Sequence, residues 1–197
     1  MAQIIDNIST IASNYDVIVL DQYGVLHDGK APYANAIECL NNLTKNGTRL
    51  AVLSNSGKRS DTNTARMVSM GFAPSLFEFV MTSGEAMWQD ILNSTIVEQH
   101  FFSIESNSGD AVNWAKGLNL KFENSVKTAQ AILLMGIPDD HSTLQLQDIL
   151  DQAFSKNLPI YCSNPDLFSP RAGGQIVVSP GTLAHLYRKR GGKVIFY

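Results

Sequence analysis

The chain has few cysteines, no long apolar runs and little excess charge, and each shortage excludes something. Only Cys39 and Cys162 occur in 197 residues. Two cysteines without metal-type spacing make no disulfide framework, so both read as reduced thiols. No stretch approaches the ~18 apolar residues of a spanning helix. The opening MAQIIDNISTIASNYD has no basic segment leading into an apolar one. Neither a membrane span nor a secretion signal is therefore expected, and the expected location is cytoplasmic. A net charge of -3 argues against a nucleic-acid partner, which calls for a basic surface. A small anionic ligand needs only local donors and stays open.

With 44% hydrophobic and 17% charged residues, the composition is that of an ordinary globular protein. Strand-like apolar runs alternate with amphipathic stretches. Val17–Leu20, Leu50–Leu53 and Phe79–Met81 read as strands, and Ala34–Lys45, Thr62–Met70 and Gly84 to about Leu92 as helices. From about residue 96 the pattern restarts, with strands at Phe101–Ile104, Ala129–Met135 and Ile160–Cys162 and helices at Asp110–Lys116 and Thr143–Phe154. A helix at Thr182–Arg190 and an apolar strand at Lys193–Tyr197 close the chain. Such alternation predicts an α/β fold, a parallel sheet with helices on both faces. The restart predicts a second small α/β domain.

Two strand ends carry chemistry. In VIVLDQYGVLHDG a buried strand delivers Asp21 to its carboxyl end, where open α/β sheets place their ligands. Gly24 permits a tight turn, and Asp28-Gly29 signals a hairpin. Asp21 could also merely cap that turn. In LAVLSNSGKRS a second strand ends in Ser54-Asn55-Ser56-Gly57 before a helix. Hydroxyls, an amide and free N–H groups there can hold an anion, although a plain turn would use the same residues. Lys58 and Arg59 add local charge, and solvated side chains are the simpler reading for them.

With Asp21-Gln22-Tyr23-Gly24-Val25-Leu26 and Ser54-Asn55 in these places, the chain resembles the haloacid dehalogenase superfamily. Its first motif is a strand ending in Asp-x-x-Gly-(Thr/Val)-(Leu/Val), and its second is a Ser or Thr at a strand end. The resemblance implies a Rossmann-like core in which Asp21 attacks the substrate under a hairpin flap. Ser54, Asn55 and Ser56 would bind phosphate. Mg2+ would be held by Asp21 and the backbone carbonyl of Tyr23. A carboxylate suits that attack because it is ionised at neutral pH without a base.

The restarted pattern is similar to the α/β cap of the class IIA branch, the relatives of pyridoxal phosphatase and nitrophenyl phosphatase. Residues 1–95 and 192–197 are then expected to form the core, and 96–191 the cap. Ser163-Asn164-Pro165-Asp166 resembles an Asn-Pro-Asp segment of that branch, which makes Asn164 and Asp166 substrate-side candidates, with turn formation around Pro165 the competing reading. His27 and His185 receive no catalytic role. The family's third motif, a Lys after the strand that follows the cap, and its fourth, an acidic metal-binding pair, are not found, since Lys193 precedes its strand. The expectation is a chain truncated at its C-terminus, with an incomplete core and a last strand short of neighbours.

Tyr23 bears on the reaction. Phosphatases of this superfamily usually carry a second Asp there, as acid and base. A phenol keeps its proton at neutral pH and is a poor base, so the change could cost the ~10²–10⁴ that such catalysis supplies. Three readings follow. The first is a Mg-dependent phosphatase acting on a small phosphorylated metabolite. The second is a 2-haloacid dehalogenase, whose relatives share Asp-x-Tyr-Gly and a Ser-Asn pair but insert a helical cap after the first motif. The third is a non-catalytic binder of phosphorylated ligands. Caps of this type often contribute to dimers, so a homodimer is also an expectation.

Overall fold

The structure is a computed structural model that describes residues 4–139, 143–170 and 175–197. Its contacts divide the chain into two compact units, one of residues 1–54 and 60–81, the other of 55–59 and 82–197.

In the first unit a short helix α1 (Ser9–Ala12) precedes β1 (Val17–Leu20), α2 (Ala36–Lys45), β2 (Arg49–Ser54), α3 (Ser60–Ser69), a single turn of 3-10 helix at Pro74–Leu76, and β3 (Phe79–Thr82). The strands order β1-β2-β3. β1 and β2 run parallel with Val17 opposite Arg49 and Leu20 opposite Val52. The period of two sends Ile18, Leu20, Leu50 and Val52 to one face, where they meet Leu40 and Leu43 of α2, Met67 of α3, and Phe72 and Leu76. Val19 and Leu53, on the opposite face, are exposed. Helix α2 stops as Asn46-Gly47 implies: Gly47 takes φ 86 and its N–H reaches Thr44 O at 3.0 Å, while Thr48 N reaches Leu43 O at 3.0 Å.

The second unit holds α4 (Ser83–Leu92), β4 (His100–Ile104), α5 (Asp110–Trp114), β5 (Lys121–Phe122), β6 (Ala131–Leu134), α6 (Thr143–Ser155), β7 (Ile160–Cys162), the ribbon β8 (Phe168–Pro170) and β9 (Ile176–Val178), α7 (Pro180–Lys189) and β10 (Val194–Phe196). Five strands order β10-β7-β6-β4-β5, and every pair is parallel. Alternate residues feed opposite faces. Ile132, Leu134, Ile160 and Cys162 pack with Leu146, Leu150 and Ala153 of α6 and Ala184 and Tyr187 of α7. Ala131, Leu133 and Tyr161 pack with Met87 of α4 and Ala111 and Trp114 of α5. This is the three-layer arrangement expected of an α/β chain, with β6 buried on both faces.

Two boundaries differ from expectation. The apolar strand at the C-terminus forms, but not in the sheet with β1: Val194 stands opposite Ile160 and Phe196 opposite Cys162. Val194–Phe196, within the segment 192–197 expected in the core, thus belongs to the second sheet, where β7 is the neighbour that β10 was expected to lack. Helix α4, expected in the core domain of residues 1–95, also joins the second unit, because Met87 is fully buried against that unit's apolar face. Besides residues 55–59, the second unit comprises the chain from Thr82 onward.

Candidate active site

The geometry of the first unit begins with the parallel pairing of β1 and β2. With Leu20 opposite Val52, the strands release Asp21 and Ser54 at the same edge of the sheet, its carboxyl edge. Asp21 is exposed, and its Oδ1 accepts the N–H of Gln22 at 2.7 Å. Ser54, the last residue of β2, is buried.

Beyond Asp21 the chain turns at Gly24 (φ 83), where Gly24 N donates to His27 O at 2.9 Å. The expected hairpin forms one residue later than Asp28-Gly29 suggests, with Gly29 and Lys30 at its tip. Asp28 N donates to Ala31 O at 3.1 Å, and Asp28 Oδ1 accepts from Lys30 N and Ala31 N, both at 2.8 Å. His27 is buried beneath it, its Nδ1 accepting from Gly29 N at 3.0 Å, which places the ring proton on Nε2. Burial, reinforced by the charge of Arg66, lowers the His27 pKa; the carboxylates of Asp28 and Asp21 oppose that shift. Arg66 Nη2 ties the tip to α3 through Gly29 O at 2.7 Å.

Tyr23 belongs to this hairpin. Its ring lies edge-on to His27, centroids 6.2 Å apart, and against Gly29, where an added Cβ would stand 3.0 Å from Tyr23 Cε2. The ring packs on the hairpin and remains about one-third exposed, at 37%.

Among the described residues no group of three or more His, Cys, Asp or Glu side chains gathers to hold a metal ion. The two oxygen donors expected for a metal are the Asp21 carboxylate, just past the end of β1, and the backbone carbonyl of Tyr23, two residues on in the chain. Mg2+ in phosphate sites is typically held by one or two carboxylates, with water and substrate oxygens completing an octahedron. An all-oxygen pair of this kind fits that ion.

The second unit brings together the other candidates. Asn55 Nδ2 donates to Asp166 Oδ2. Asp166 N donates to Asn164 Oδ1 at 2.9 Å, so Asn164 shapes the turn that presents Asp166. The segment is backed by glycine: a Cβ on Gly181 would lie 2.2 Å from Pro165 O. His185 serves the same turn, with Nε2 3.2 Å from Pro165 O and its ring stacked on Phe196. Ser56 O accepts from Gly84 N at 3.0 Å. The two thiols are unpaired; Cys162 is buried, which pushes its pKa up to about 11.

Some contributors were not legible beforehand. Arg59, expected to be solvated, is clamped between Glu85 (2.6 Å) and the face of Trp88. Gln22 and Asn63 form a buried amide pair. The available signal for the pair was Asn63 and Met67, a polar and an apolar residue four apart on one helix face.

Residues 18–110 match the family model of the haloacid dehalogenase-like hydrolases. No curated protein matches the chain. Among solved structures, a haloacid dehalogenase-like hydrolase from Brucella suis 1330 superposes with TM-score 0.85 at 24% identity, over 98% of this chain and 69% of its own. A possible sugar phosphatase of the same superfamily from Cytophaga hutchinsonii gives 0.79 at 13%, over 99% and 71%. A glycerol phosphate phosphatase from Mycobacterium tuberculosis, in complex with magnesium, gives 0.67 at 18%, over 93% of this chain and 55% of its own. At these identities the likeness shows a shared fold. No helix among the described residues is long and apolar enough to cross a membrane.

Proposed function

We propose that the chain is a haloacid dehalogenase-like hydrolase, a reading supported by the family model over residues 18–110 and by the shared fold, and that it acts as a Mg-dependent phosphatase of small phosphorylated metabolites, with Asp21 as nucleophile. The observation that carries the reading is the placement of Asp21 and Ser54 at one carboxyl edge of paired parallel strands.

In this reading an oxygen of Asp21 attacks phosphorus. The bond from phosphorus to the ester oxygen breaks as the bond to Asp21 forms, and the leaving alkoxide takes a proton from water. Water then cleaves the acyl phosphate, releasing phosphate and restoring the carboxylate. Ser54, with Asn55 and Ser56 next in the chain, donates to the phosphoryl oxygens, and the Asp21 carboxylate and Tyr23 carbonyl hold the metal. Mg2+, when bound, offsets the repulsion between two anions. Asn164 and Asp166 are assigned to the substrate side. The phosphatases named among the structural neighbours support phosphate-ester chemistry.

The test is turnover of an aryl phosphate by the chain with Mg2+. Asp21→Asn is expected to abolish it, and a chelator to do so reversibly. Undiminished turnover in Asp21→Asn would overturn the assignment. A second reading is favoured by one observation, Tyr23 together with Ser54-Asn55. Halide leaves without a proton, so carbon–halogen hydrolysis needs no acid at position 23. Chloride release from 2-chloropropionate, insensitive to a chelator, would establish it in place of the first. Phosphate-ester binding by calorimetry without hydrolysis of either substrate would instead identify a non-catalytic binder.

A further inference from the structure

Gln22 follows Asp21 in the chain and is 3% exposed, whereas Asp21 and Tyr23 on either side are exposed. Its side-chain amide is held from one helix. Asn63 Nδ2 donates to Gln22 Oε1 at 2.7 Å, and Gln22 Nε2 donates to the sulfur of Met67 at 3.0 Å. Asn63 and Met67 are four residues apart on α3, so both side chains face the same way, and both are buried. The main chain of Gln22 completes the arrangement. Its N–H donates to Asp21 Oδ1 at 2.7 Å, and its carbonyl accepts from Val25 N (3.3 Å), Leu26 N (2.8 Å) and His27 N (3.2 Å).

An apolar residue at position 22 would fill this place without needing any partner. A buried amide differs because its polar atoms tolerate few orientations: unpaired donors and acceptors in a dry interior are costly. An apolar side chain could slide against α3, but the paired amide holds one rotamer and one register.

We propose that the Gln22–Asn63 bridge is a positioning device that fixes the direction of the Asp21 carboxylate and the turn over residues 22–27. The proposal rests on the reading of Asp21 as nucleophile. Both amides are buried and bonded to each other, so their assigned role is positioning. A reacting group must be held closely in its attack geometry, and small misplacements reach far into the rate.

The experiment compares the unmodified chain with Asn63→Leu, with Gln22→Asn and Asn63→Gln singly, and with the last two combined, which moves one methylene across the bridge and keeps its length. Two quantities are read. The first is amide hydrogen exchange at Gln22 and Leu26, expected to quicken about tenfold or more in Asn63→Leu and to return towards the unmodified rate in the swapped pair. The second is steady-state hydrolysis of an aryl phosphate with Mg2+. Here kcat is expected to fall roughly 10- to 100-fold in Asn63→Leu with KM within about twofold, and to recover in the swap.

Unchanged exchange at both amides in folded Asn63→Leu overturns the proposal, as does a kcat within about twofold of the unmodified chain. Should Asn63→Leu fail to fold, the single exchanges against their combination supply the same comparison. No turnover by the unmodified chain, or turnover that survives Asp21→Asn, counts against the nucleophile reading alone. The exchange measurement still decides whether the bridge positions Asp21.

Discussion

The guanidinium of Arg59 lies 3.6 Å above the ring centroid of Trp88 while its Nε and Nη2 reach Glu85 at 2.6 and 3.2 Å. Both charged side chains are mostly covered, 20% and 12% exposed. A planar cation can satisfy a carboxylate through its edge and an aromatic face at once, and an ammonium cannot. Arg59→Ala is therefore expected to lower unfolding stability by roughly 2–3 kcal/mol, and Arg59→Lys to recover only part of that. A double-mutant cycle with Trp88→Leu, read by urea denaturation, should give a coupling of about 1–2 kcal/mol. A coupling near zero would mean that the ring contact contributes nothing.

Close backbone approach makes a second case. A Cβ on Gly84, at the start of α4, would stand 2.1 Å from Gly57 O and 2.7 Å from Lys58 O. One on Gly181 would stand 2.2 Å from Pro165 O and 2.3 Å from Asp166 O. Neither obstacle is a flexible side chain that could swing away, so the loops themselves would have to move. Gly84→Ala and Gly181→Ala are each expected to cost about 1–3 kcal/mol, as overpacking does. Gly47→Ala serves as the comparison: no atom lies within 4 Å of its Cβ position, so its only cost is the left-handed backbone. If Gly84→Ala melts with the unmodified chain, the approach is looser than the distances state.

These contacts also show where the sequence was legible. Val17–Leu20 and Ile160–Cys162 are strands at the expected residues, because period and composition are local properties. The two motif residues Asp21 and Ser54 fall at strand ends for the same reason. Sheet membership is not local. Val194–Phe196 is apolar and strand-forming wherever it pairs, and only its register with Ile160–Cys162 assigns it to the second sheet. Likewise α4 is amphipathic in either unit, and the burial of Met87 against Phe101 and Leu133 decides between them. Arg59 was unreadable in advance because a polar residue next to a motif looks the same whether solvated or clamped, and Gln22 was marked only indirectly, through the helix face shared by Asn63 and Met67.

His27 gives the chain a pH response. Burial and Arg66 favour the neutral ring, so the folded pKa lies below the ordinary ~6.5 of an unfolded histidine. In the window between those two values the unfolded chain binds more protons. This contribution to stability is thus complete above about pH 6.5 and is lost as pH falls through the folded pKa. Urea midpoints are expected to drop between pH 7 and 5. In His27→Asn a carboxamide oxygen can accept from Gly29 without titrating, so this part of the pH dependence should flatten. An equally steep fall in His27→Asn would assign the response to the carboxylates instead.

Tyr23 supplies the most direct check on the chemistry. Its ring rests on Gly29 and edge-on to His27, a packing role that leaves no carboxylate two residues after Asp21. If the reaction is phosphate-ester hydrolysis, what the chain lacks there is a group to protonate the leaving alcohol and activate water. Tyr23→Asp supplies one and is expected to raise kcat for an alkyl phosphate by up to about 10²–10⁴. Tyr23→Asn removes the same ring and adds a side chain of the same shape with no acid, so it isolates the proton-transfer effect from the loss of packing. A gain in Tyr23→Asp absent from Tyr23→Asn would place acid–base catalysis at this position. Equal rates in the two variants would mean that a later step limits turnover. The expected gain should also be smaller for an aryl phosphate, whose phenolate leaves with less need of a proton, and that difference between substrates is a further measurable consequence.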